Sequence, residues 1–94
     1  MRQLIITYDF QQSNSLKKRP FEDMIREYGL FAFLTDNSCI IWTEATPVMV
    51  RDNLMTGLGQ GDKLYVGETY APAAWTNSIT KEVSEYIINN LKGK

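Results

Sequence analysis

The apolar residues change their spacing along the chain in an order that few folds accommodate. Leu4, Ile6 and Tyr8 alternate with Ile5, Thr7 and Asp9, and a β-branched run of period two reads as a strand. Phe21, Met24, Ile25 and Tyr28 then recur at three-to-four spacing behind Pro20, which loses no hydrogen bond in a first helical turn, and Gly29 stops that helix. Leu30–Leu34 and Cys39–Thr43 flank the polar Thr35-Asp36-Asn37-Ser38, the pattern of a hairpin. Thr46-Pro47 opens a second helix carrying Val48, Arg51, Leu54, Met55 and Leu58 and ending near Gly57 or Gly59. Gly59-Gln60-Gly61-Asp62 turns into a fourth strand, Lys63–Glu68. Thr80 caps a last helix with Ile79, Val83, Tyr86, Ile87 and Leu91 along one stripe.

The order βαββαβ predicts an α+β, ferredoxin-like domain: a four-stranded antiparallel sheet with two crossover helices on one face and an appended C-terminal helix. Right-handed crossovers give the strand order 4-1-3-2. Asp9, Ser38 and Asp62 then share one rim with the Asp36-Asn37 turn, and Glu44 and Glu68 fall at the other. Residues 1–94 form one domain, with 69–94 as linker and C-terminal helix. A chain of 94 residues that is 44% hydrophobic is long enough for one small core and too short for two.

Ten Lys and Arg against eleven Asp and Glu leave a net charge of -1, so any contact with nucleic acid must come from a local patch. With no histidine, imidazole zinc sites and His-based triads are excluded. Cys39 is the single cysteine, which excludes an internal disulfide and fits a reducing compartment. The N-terminus lacks a signal-peptide pattern and no apolar run reaches bilayer length, so a cytoplasmic location with no membrane partner is expected.

The strongest chemical candidate is Asp9, a carboxylate at the mouth of the first strand that could bind a metal or transfer a proton. Mg²⁺ takes hard oxygen ligands, often one or two carboxylates with water and phosphate. Asp9 facing its symmetry mate would supply such a site, with Asp62 and Asp36 on the same rim. Each also has a purely structural reading: an Asp after a strand commonly bonds its own loop as an Asx-turn, and Asp62 after Gly61 reads as a turn residue. Lys17, Lys18 and Arg19, in the long connection Gln11–Arg19, could position phosphates or could be a solvated surface run. Ile5, Thr7, Ile40, Trp42 and Tyr65 would line the sheet face that the crossover helices leave bare. That face calls for the C-terminal helix or a second chain, with Trp42 and Tyr65 as interface residues and a homodimer as the expected state. Trp75 would anchor the linker.

The run Leu4–Phe10, the strand Ser38–Thr43, the helix Thr46–Leu54 and the strand Asp62–Gly67 together resemble the Cas2-like group of small ferredoxin-fold proteins. The resemblance implies a dimer, and in some members a metal-dependent nuclease whose aspartate ends the first strand, the position of Asp9. Cas2 proteins usually add a fifth strand, whereas here Glu68–Trp75 leads into a helix, so the pattern looks closer to stand-alone Cas2-like proteins than to the spacer-acquisition component. Two functional expectations follow. One is a nucleic-acid-binding protein, DNA or RNA, that hydrolyses phosphodiesters with Mg²⁺ at Asp9. The other is a non-catalytic homodimeric module, without a cofactor, that regulates or inhibits another protein.

Overall fold

A computed structural model, whose described residues are 1–11 and 16–93, gives the elements β1 (Arg2–Asp9), α1 (Lys18–Arg26), β2 (Phe31–Thr35), β3 (Ser38–Thr43), α2 (Pro47–Met55), β4 (Lys63–Glu68) and α3 (Lys81–Asn90). The strands form one antiparallel sheet in the order β2-β3-β1-β4, the expected order read from the other edge. This is the ferredoxin-like α+β topology with an extra C-terminal helix. Gln12, Ser13, Asn14 and Ser15, the body of the expected polar loop, lie outside the described residues.

Local chemistry explains where the elements begin and end. The Thr46 hydroxyl accepts from the Met49 N–H at 3.2 Å with Pro47 at the first helical position, and the Thr80 hydroxyl does the same for Val83 at 3.3 Å. Both satisfy a first-turn donor that the helix itself cannot. Gly29 ends the turn after α1 at φ +88°, a conformation that costs a side-chain-bearing residue.

The sheet is two-sided. Leu4, Ile6 and Tyr8 of β1 and Cys39 and Ile41 of β3 pack with Phe21, Ile25, Val50 and Leu54 into the main core under α1 and α2. On the opposite face Ala32, Ile40 and Trp42 form a second cluster with Ile87 of α3, joined by Val83, Tyr86, Leu91 and Trp75. The chain's own C-terminal helix therefore covers the β2/β3 half of that face.

Two expectations need correction, the first about α2. Val48 and Met55 are 55% and 53% exposed, and Val50 with Leu54 forms the buried stripe instead. Apolar residues surround this helix, so its composition leaves the phase open and the i, i+4 pair that meets the sheet decides it. The connection before α1 is also shorter than expected, because Lys18 and Arg19 already belong to the helix.

Gln3 locks the C-terminal segment in place. It is fully buried within an otherwise apolar run. Its side-chain amide donates to the Thr69 carbonyl at 2.7 Å and accepts from the Trp42 indole N–H and the Lys92 N–H, both at 2.8 Å. The Ala71 N–H donates to the Lys92 carbonyl at 2.8 Å beside a bridge between Ala71 and Gly93. One amide thus ties β1, β3, the segment after β4 and the chain end together, and burial makes each of those bonds costly to lose.

Candidate functional site

Antiparallel register sets the rim around Asp9. Asp9 lies opposite Lys63, and Thr7 lies opposite Tyr65 on β4 and Ser38 on β3. Asp62 is adjacent to Lys63. Glu44 follows Thr43, the partner of Arg2, and Glu68 faces Leu4, so both acids sit at the far rim. There Arg2 donates to the Glu44 carbonyl at 2.7 Å and lies 3.8 Å from the Glu68 carboxylate.

The carboxylates of the near rim have different roles. Asp62 accepts from the Gln11 N–H and the Gly59 N–H, each at 2.7 Å, and so closes the turn before β4 and clamps the end of β1 to it. That is the turn role read from Gly61-Asp62, and it commits both oxygens to backbone donors. Asp36 is exposed in the hairpin turn. The neighbouring Asn37 donates from its side chain to the Tyr8 carbonyl at 3.0 Å and accepts the Tyr8 N–H at its own carbonyl at 3.0 Å, holding the hairpin against β1. Asp9 is exposed and its side chain forms no hydrogen bond or ion pair among the described residues, and the same holds for the side chain of Lys63. No group of three or more His, Cys, Asp or Glu side chains converges among those residues. One chain therefore offers a hard cation one uncommitted rim carboxylate beside Thr7 and Ser38.

Lys17, Lys18 and Arg19 are placed elsewhere. Lys17 caps α1 and the other two occupy its first turn, in the helical layer that packs on Tyr8. Alternation along β1 sends Asp9 to the opposite face from Tyr8. Lys18 and Arg19 border a hollow of about 630 Å³ shared with Glu22, Asp23 and Arg26, where Arg26 pairs with Asp23 at 2.9 Å. That hollow is mixed in charge rather than basic.

Beneath it the Tyr8 hydroxyl donates to the Glu22 carboxylate. Burial, followed by the bond to Glu22, raises the Tyr8 pKa well above the ordinary phenol value. Burial pushes the Cys39 thiol up to about 12, with the Glu22 charge adding to the shift. A thiol protonated to that degree is a poor nucleophile, so Cys39 packs the core.

The two expected interface aromatics differ in exposure. Trp42 is 3% exposed, held beneath α3 by its bond to Gln3 and an edge-on contact with Tyr86 at 5.7 Å between centroids. Tyr65 is 63% exposed. Its ring lies along β4 over Gly67, where a β-carbon would stand 2.9 Å from the hydroxyl. Ile5, Thr7 and Asp9 of β1 and Lys63, Tyr65 and Gly67 of β4 share this face, since Leu64 and Val66 turn to the main core. The face carries an open depression of about 480 Å³ bordered by Thr7, Asp9, Ser38, Lys63 and Tyr65.

Trp75 anchors its segment as expected, packing on the second cluster and donating to the Ser84 hydroxyl at 2.9 Å. Gln3 and Lys63 were not singled out from the sequence. A glutamine breaking the apolar alternation of β1 is the signal for the first, and the β1/β4 register for the second.

Fold and site together define a ferredoxin-like α+β protein whose second sheet face is half covered by its own helix and half open. A scan of protein-family models matches none to this chain, and a search of curated proteins finds no match either. No helix among the described residues is long and apolar enough to cross a membrane.

Proposed function

We propose that this protein is a non-catalytic homodimeric interaction module that regulates or inhibits another protein. The division of the second sheet face carries this reading. α3 seals the β2/β3 half, whereas the β1/β4 half presents Ile5, Thr7 and a largely exposed Tyr65 to solvent. A small domain gains by burying such a surface against a partner. If two copies share it, Val48, Met49 and Met55 on the outer side of α2 remain exposed for a different protein. Sedimentation equilibrium over a wide concentration range tests the first step. A mass of two chains is expected, and a mass of one chain at the highest concentration overturns it.

A second reading keeps the Cas2-like resemblance, with Asp9 acting on a nucleic-acid backbone. The uncommitted Asp9 carboxylate favours it, as do the three cations at the start of α1, the positive end of the helix dipole. Mg²⁺ held by one carboxylate, water and phosphate is within its usual range. Cleavage of DNA or RNA that requires Mg²⁺ or Mn²⁺, stops with EDTA and is lost in Asp9→Asn would establish this reading. No cleavage and no binding would leave the interaction module.

A further inference from the structure

The open half-face has a property that a general docking surface does not need. Its residues come in cross-strand pairs, Ile5 with Gly67, Thr7 with Tyr65 and Asp9 with Lys63. Each pair sets a larger side chain beside a smaller one or an anion beside a cation. A two-fold axis running between β1 and β4, parallel to both and above the sheet, would place every residue opposite its register mate in the second copy. Ile5 would meet Gly67 of the partner subunit, Tyr65 would meet the partner's Thr7, and Asp9 would meet the partner's Lys63. We propose that this ladder is an isologous dimer interface in which two β1/β4 half-faces pack sheet on sheet, closed at one end by two inter-chain Asp9–Lys63 ion pairs. The pairing rests on the self-association proposed above and specifies its surface and symmetry.

Three observations support a second copy as the occupant. First, the charges are available, since Asp9 and Lys63 form no ion pair within the chain among the described residues. Second, the relief suits a two-fold. The Tyr65 ring lies in the space that a side chain at Gly67 would fill, which makes β4 a low shelf, and the axis would set the shelf of one copy against the Ile5 and Thr7 ridge of the other. Third, α3 leaves room. A helix is about 10 Å across and packed sheets lie about 10 Å apart. With β4 at the sheet edge and α3 over β2 and β3, the axis sets the partner's β4 beside α3 in the same layer. Aligned sheets rotate by about 30°, a small displacement over three rows of residues that the long Lys63 side chain can follow.

Charge reversal tests the symmetry directly. In Asp9→Lys each dimer would oppose two lysines twice, and in Lys63→Asp it would oppose two aspartates twice. Both positions are exposed strand ends, so each variant should remain folded, and circular dichroism checks this before association is measured. Sedimentation equilibrium should show each variant dimerising at least about tenfold more weakly than the wild type. An equimolar mixture should recover dimer, because both pairs in the heterodimer again join opposite charges, and that recovery should weaken with added salt. A wild-type dimer insensitive to both reversals, or variants that fail to recover on mixing, would overturn the ladder while leaving self-association standing. A wild type that stays single would remove both.

Discussion

Gln3 shows how much one side chain can decide. Its amide, itself fully buried, satisfies the Trp42 indole in a buried bond and the Lys92 N–H and Thr69 carbonyl in part-buried ones. Gln3→Leu has a similar volume but removes the partner of the buried Trp42 N–H, an orphan that costs about 1–3 kcal/mol, while the part-buried Lys92 and Thr69 groups lose less because water can reach them. We expect a total loss of about 2–4 kcal/mol by urea denaturation, with Trp42 emission shifted to the red as the chain end loosens. A loss below about 0.5 kcal/mol, the range of an ordinary surface substitution, would mean that Gln3 does not hold the C-terminal segment. Asp62 is a parallel case, since the same carboxylate read as a rim acid proves to be the clasp between Gln11 and Gly59.

At the scale of elements, stops and starts were legible because they depend on single residues. Thr46-Pro47, Thr80, Gly29 and the Gly61-Asp62 turn each do locally what their chemistry requires, and the apolar periods between them sufficed for strand order and rim. The facing of α2 was not legible, because Val48, Met49, Val50, Leu54 and Met55 offer more than one apolar stripe and only the sheet beneath selects Val50 and Leu54. Nor was the division of the second face, since one alternating pattern serves strands covered by a helix and strands left open. α3 is the element that makes this division, and its cap sets its local stability. Thr80→Ala removes an N-cap worth about 1 kcal/mol. If α3 opens separately from the sheet, its amides should exchange about fivefold faster while those of β1 and β3 are unchanged. Equal acceleration in both would show that helix and sheet open as one unit.

For the whole molecule, two helices close one face of the sheet and a third closes half of the other, and the proposed second copy would complete the remainder. The ferredoxin-like frame places Asp9 opposite Lys63 on the neighbouring strand, and the proposed interface depends on that pair. Lys17, Lys18 and Arg19 belong to the helical layer, so a nucleic-acid backbone would have to pass around the rim to meet both them and Asp9. Hydroxyl-radical footprinting across a concentration series, read at Tyr65 with Trp42 as internal reference, tests the central claim most directly. Tyr65 should be oxidised readily in dilute protein and become protected in step with the appearance of a two-chain mass, while Trp42 stays protected throughout. Tyr65 remaining fully reactive at concentrations where the protein is dimeric would contradict the account.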